Sequence, residues 1–314
     1  MRGCIMRNWC LLLWFVTALS WAECKTVNFG LVDWTDLRAT TAVASELLQE
    51  LGYRPRQNEM EVATIYEQLA AGKLDAYLGL WLPSGQAQVD PYIAKRQVEL
   101  LAKNIPQARY SIAVPEYVYQ AGVRSIDDIG QHRQQFAGRL HGLEQGNSAN
   151  KYLRGLIDSN QHQLGGFNLI ELPESLMLRQ VNRYHKDQQW VAFLAWEPHP
   201  MNEMYQVKYL SGAEDHFGPN TGLSSVHTMV RAGYSQECAN VTNLLRQIQI
   251  PAEQVAGIMD MIVNQFVPAE RAARQWMFTH PHLVTAWLDG VTREDGTPID
   301  MDALIASMEL RIGN

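Results

Sequence analysis

Trp34, Trp81 and Trp196 each stand at or just past the end of a stretch that reads as a β-strand, and Asp36 follows the first by two residues. Indole faces attract cations through the ring quadrupole, by about 0.5–1 kcal/mol when exposed and about 2 or more when dry. A quaternary ammonium has no N–H to give a carboxylate, so aromatic faces are the surfaces suited to hold it. Three or four rings around one trimethylammonium sum to about 4–8 kcal/mol, against about 8 kcal/mol for micromolar binding. A single tryptophan beside a strand is more often packing than ligand wall. Three at corresponding places, with a carboxylate beside one, point to a pocket for a small organic cation. Two polar residues keep a second reading at this stage: Asp36 as a helix cap, and Asn147 as the N-cap of the helix after it.

Catalytic patterns do not compete with this reading. The chain carries no Gly-x-Ser-x-Gly elbow, no His-Glu-x-x-His zinc pattern and no Walker-type phosphate loop. His280-Pro-His282 has no obvious third ligand nearby, and Glu197-Pro-His199 reads as the turn that positions Trp196. An exported enzyme acting on a molecule that contains a quaternary ammonium would need a nucleophile or metal set beside the rings, and none is visible. No enzymatic activity, no cofactor and no metal are expected.

Strands and helices alternate at short spacing around these residues. Thr26 to Val32 alternates as a strand, Asp33 to Asp36 supplies N-cap chemistry, and Ala42 to Leu51 continues as a helix that stops at Gly52. A helix from Ala63 to Ala71 and a strand from Leu74 to Leu80 lead into Trp81. Further strands are predicted at Tyr110–Val114, Phe136–Leu140, Val191–Trp196 and Ser224–Val230, with helices at Ala149–Ile157 and Ser175–Tyr184 and mostly helix after Asn240. This is α/β layering with a largely parallel sheet, in which ligands bind outside the carboxyl ends of strands. No linker separates two domains, so the chain is expected to cross between them more than once.

The totals narrow the class. The chain has 314 residues, 46% of them hydrophobic, and a net charge of −7, which excludes a disordered chain and disfavours a nucleic-acid partner. Residues 1–22 read as a secretory signal peptide, with Arg2 and Arg7, an apolar run from Cys10 to Leu19, and Ser20-Trp21-Ala22 at the cleavage site. Cleavage after Ala22 leaves 292 residues with 24 basic and 33 acidic side chains, a net −9. Cys4 and Cys10 leave with that segment, and Cys24 and Cys238 remain as an even pair in an oxidising compartment. Their disulfide would contribute about 3–5 kcal/mol. Lipidation of Cys24 is the alternative, disfavoured by Glu23 immediately before it.

Five segments together carry a specific resemblance: Gly30-Leu-Val-Asp-Trp34-Thr-Asp36, Leu78-Gly-Leu-Trp81-Leu-Pro83, Ala108-Arg-Tyr110-Ser-Ile-Ala-Val-Pro115, Gly146-Asn147-Ser148 and Trp196-Glu-Pro-His-Pro-Met-Asn202. The chain resembles the choline-binding proteins of ABC importers, within the wider glycine betaine and proline betaine substrate-binding family. The resemblance implies a two-lobed α/β fold, the type II periplasmic binding protein, with parallel-dominated sheets and crossover strands as a hinge. Residues 23–110 and 213–314 would form lobe I and residues 111–212 lobe II. It implies that Trp34, Trp81, Tyr110 and Trp196 wall an aromatic box, that Asp36 and Asn147 address the ligand's hydroxyl end, and that Cys24 pairs with Cys238. Tyr110 is chosen over Tyr117 and Tyr119 by motif. The implied function is capture of choline in the periplasm and delivery to an ABC permease with a separate ATPase subunit, by a monomer. A carboxylate at Asp36 suits choline's hydroxyl and opposes the carboxylate of glycine betaine. A glycine betaine or carnitine receptor is the rival within the binding class.

Overall fold

Val27, Phe29 and Leu31 bury their side chains, and Thr26–Leu31 forms strand β1 as the alternation predicts. This computed structural model describes residues 24–312, so the expected signal peptide at 1–22 lies outside the described residues. Eight further strands follow: β2 (Arg54–Glu59), β3 (Ala76–Leu82), β4 (Val98–Pro115), β5 (Arg139–Gly142), β6 (Asn168–Glu171), β7 (Phe193–Glu197), β8 (Val207–Tyr209) and β9 (Leu223–Arg231). They form one sheet in the order β2-β1-β3-β9-β4-β7-β5-β6, with β8 also paired to β4. Parallel pairing joins β1 to β2 and β3 at one end, and β5 to β6 and β7 at the other. The antiparallel pairings gather at the middle, around β4 and β9.

β4 is the strand that both halves share. From Val98 to Arg109 it pairs with β9, and from Arg109 to Pro115 with β7 and β8. The α/β, type II binding-protein architecture expected from the sequence is therefore present, with β4 as a crossover strand. Tyr110–Val114 marks only the last part of this strand, because three register shifts between Leu100 and Ala108 break the alternation before it. β2 was not expected at all: Arg-Pro-Arg-Gln-Asn-Glu has no apolar face, and it holds its place by parallel pairing to β1 at the sheet edge. β5 begins three residues later than predicted, since Ala137 and Gly138 take positive φ angles and turn the chain first.

The helix Thr35–Glu50 is buried along nearly its whole length, between β1 and the helices Ala252–Val263, Ala269–Thr279 and Met301–Ile312. Its buried Glu46 is held by Arg274 at 3.0 Å and Arg311 at 2.9 Å. It ends where Gly52 supplies a φ of 94°. Cys24 and Cys238 form a disulfide with a Cα–Cα distance of 5.5 Å, tying the start of β1 to the start of the helix Ala239–Gln247. Closing a loop of 214 residues removes unfolded-chain entropy equivalent to about 5 kcal/mol.

Candidate functional site

Two parallel pairs that run in opposite senses, β1 with β3 and β5 with β7, end around one cavity. Trp34 and Asp36 follow β1, Trp81 is the penultimate residue of β3, Asn147 follows β5, and Trp196 is the penultimate residue of β7. Tyr110 reaches the same cavity from the crossover strand β4. All six site residues expected from the sequence line it, and about 460 Å³ of empty space lies inside, its open mouth included. Tyr117 and Tyr119 lie elsewhere, the first donating its hydroxyl to the Gln189 carbonyl and the second lying beneath the Arg124 guanidinium. The floor needs a residue without a side chain: a Cβ on Gly79 would sit 2.7 Å from the Tyr77 hydroxyl and 2.9 Å from Leu37.

The rings are held at angles to one another. Tyr110 lies 5.7 Å from Trp81 at 59° and 6.5 Å from Trp196 at 83°, and Phe217 backs it edge-on at 5.1 Å. Tilted and edge-on pairs leave ring faces free for a guest and suit the ring quadrupoles. Polar bonds fix three of the four rings. The Trp81 indole N–H donates to Asp36 at 3.2 Å, the Trp34 N–H to Glu144 at 3.1 Å, and the Tyr110 hydroxyl to Asn147 Oδ1 at 3.2 Å. Asn202 holds the Trp196 carbonyl at 2.7 Å, closing the turn through Pro198 and His199. His280 is stacked on Trp276 and bonded to its carbonyl, away from this cavity.

Asn147 caps a helix and also lines the cavity. Its Oδ1 accepts the Ala149 N–H at 3.0 Å, capping the helix Ser148–Asp158, while the same oxygen takes the Tyr110 hydroxyl. Its Nδ2 donates to Glu144 at 3.1 Å and has a second hydrogen left. Asp36, for which capping is the alternative reading, is not at the N-cap position, although its carboxylate accepts backbone N–H groups of Asp36 and Leu37 in the first turn. Trp34 occupies the N-cap position of its helix and no side chain there makes a cap. The Thr35 N–H is instead accepted by Glu174, from the far half of the sheet, at 3.0 Å.

Charge in the cavity is one-sided. Asp36 is the sole carboxylate or cationic side chain among the lining residues, and burial pushes it up to about 7, helped by repulsion from Glu174 and offset in part by the Trp81 N–H. Burial also raises Glu144, against the bonds from Asn147 and Trp34. Burial holds the Tyr110 phenol well above its ordinary value, so it stays neutral and donates. Glu144 and Glu174 escaped the sequence reading. Glu144 lies three residues before Asn147 and could have been flagged by that closeness. Glu174 opens the helix Glu174–Lys186, where an acidic first-turn residue is ordinary.

Comparison with known proteins matches this geometry. Residues 25–278 match the model of OpuAC, the substrate binding domain of ABC-type glycine betaine transport system. An ABC-transporter choline binding protein solved in complex with choline is 36% identical, covering 92% of this chain and 99% of its own, with a TM-score of 0.87. Lactococcal OpuAC, in its closed conformation with glycine betaine, shares the fold at 22% identity, 84% and 99% coverage and a TM-score of 0.75. A protein of Chromohalobacter salexigens known as uncharacterized protein ORF1 is 46% identical over 136 residues, 43% of this chain and 87% of its own. The chain belongs to the family of substrate-binding domains of ABC-type glycine betaine transport systems.

Proposed function

We propose that this protein captures choline in the cavity and delivers it to an ABC permease. The observation that carries the reading is the lining itself: five aromatic side chains, the expected four and Tyr66, and one carboxylate, with no Lys, Arg or His among the lining residues. Trp34, Trp81, Tyr110 and Trp196 supply faces for the trimethylammonium. Asp36 accepts a hydrogen bond from choline's hydroxyl, and Asn147 uses its remaining N–H for the hydroxyl oxygen. A betaine would bring a carboxylate toward Asp36 with no cationic side chain in the lining to receive it. The 36% identity to a choline binding protein supports the same choice.

The division into lobes belongs to this proposal, with residues 23–110 and 213–314 on one side and 111–212 on the other. It is supported by the change of β4 from β9 to β7 and β8 at Arg109. So do a monomeric state, a separate ATPase subunit behind the permease, export by the residue 1–22 signal and work in the periplasm without chemistry on the ligand. The disulfide is compatible with that oxidising compartment. Titration calorimetry with choline and glycine betaine tests the ligand assignment. Choline should bind at one site and at least tenfold more tightly. Equal or tighter binding of glycine betaine would overturn the choice of choline.

A further inference from the structure

Glu174 is almost fully buried, and it lies outside the group of residues that line the cavity. It follows β6, at one end of the sheet, yet it takes the backbone N–H of Thr35, which follows β1 at the other. Its Oε1 also accepts the Thr35 hydroxyl in a short bond. The same oxygen faces His199 Nε2 at 3.2 Å. His199 Nδ1 accepts the Met201 N–H at 3.0 Å, so the ring proton sits on Nε2 and is donated to Glu174. One carboxylate thus receives three donors from two segments. Thr35 lies between Trp34 and Asp36, and His199 packs edge-on against Trp196 at 5.0 Å.

Other bonds cross the cavity singly. Trp34 reaches Glu144, Tyr110 reaches Asn147, and Gln88 reaches the Gly146 carbonyl at 3.3 Å. Glu174 joins the segment carrying Trp34 and Asp36 to the segment carrying Trp196, as Glu144 joins Trp34 to Asn147. The three Glu174 bonds are charge-assisted and shielded from water, the class that holds most strongly. They also supply the partner that the uncapped start of the helix Thr35–Glu50 lacks. We infer that Glu174 is a positioning residue that latches the Trp34–Asp36 segment to the Trp196–His199 segment and so sets how long a bound quaternary ammonium is retained. The inference rests on the proposed ligand-binding role of the cavity. It acts on dissociation because the bonds join the two halves of the site after they have come together.

Stopped-flow tryptophan fluorescence on the full mature chain tests this, with choline and glycine betaine as probes. Glu174→Gln keeps the shape but offers one acceptor oxygen and an NH2 to three donors. It should raise the dissociation rate tenfold or more, with an association rate changed less than threefold. Thr35→Val removes only the hydroxyl bond and should raise the dissociation rate about threefold, serving as the readout if Glu174→Gln does not fold. The double variant should fall well short of the product of the two effects. Amide exchange on the ligand-free protein gives an independent measure. Glu174→Gln should speed exchange at residues 33–36 and at 199–201 together, whereas a purely local role would affect the helix Glu174–Lys186 alone. Unchanged dissociation in both variants, or exchange raised only beside residue 174, would overturn the latch. A wild type that retains glycine betaine and not choline would overturn the choline reading while the latch is measured on glycine betaine.

Discussion

Replacing Asp36 with Asn should make the empty protein more stable while making it a poorer choline binder, and the gain should depend on pH in a defined way. Burial and the neighbouring Glu174 raise the Asp36 carboxyl from 3.8 to about 7 in the native state. The sign follows from proton binding: between these values the native protein keeps a proton that the unfolded chain has released, so stability falls as pH rises. Below pH 4 both states are protonated, and above pH 7 both are ionised with the full penalty in place. Asn stands in for the neutral acid and still accepts the Trp81 N–H, so it escapes the penalty. The difference between variant and wild type should be under about 1 kcal/mol at pH 4 and at most about 4 kcal/mol at pH 8. For a chain near 290 residues, with about 0.6 kcal/mol per degree, that is a Tm gain of about 1 °C growing to about 7 °C. Groups that do not sense the Asp36 charge cancel between the two proteins. Differential scanning calorimetry from pH 4 to 8 measures it, and calorimetric titration on the same samples should show wild-type choline affinity rising up to pH 7 and a flat profile in the variant. A Tm difference independent of pH, or a variant less stable than wild type at pH 8, would refute the buried-carboxylate reasoning.

Trp81→Ala removes a ring that faces the cavity beside Tyr110, and choline affinity should drop at least tenfold by titration calorimetry; an unchanged affinity would remove Trp81 from the box. The Cys24–Cys238 bridge should appear as a mass two units lower before reduction, and its reduction should lower stability by about 3–5 kcal/mol in urea unfolding. Two free thiols in the native mature protein would contradict the bridge.

The aromatic part of the site was legible because its signal is local. A tryptophan at the end of an apolar run needs only the run to be read, and β1, β3 and β7 each offer one. Tyr110 was harder, since the strand that carries it loses its alternation through the shifts between Leu100 and Ala108, and only its surrounding motif separated it from Tyr117 and Tyr119. Asn147 was read as either cap or ligand group, and the structure lets one oxygen cap a helix and hold Tyr110 at once. Glu174 was invisible in principle. Its partner Thr35 is 139 residues away, and nothing in Pro173-Glu174 distinguishes it from any acid at a helix start. β2 was invisible for a different reason: an edge strand with polar side chains is specified by the backbone of its neighbour.

Three carboxylates gather at and around the cavity, one in its lining and two behind it. Asp36, Glu144 and Glu174 are bonded to indoles, an amide, a hydroxyl, a backbone N–H and an imidazole, and among the described residues no Lys or Arg pairs with any of them. Buried carboxylates normally find a cation, because leaving one unpaired costs several kcal/mol. Here the burden shows as the raised Asp36 and Glu144. On the proposed reading, the missing counter-charge is the ligand. A single positive charge 4 Å from a carboxylate gains about 4 kcal/mol at an effective dielectric of 20, comparable to the rings together. The rings respond to the trimethylammonium that choline and glycine betaine share, so they define the class of ligand and not the member. Choice between members falls to the carboxylates: a cation relieves their repulsion, whereas a zwitterion brings a second negative group that restores it.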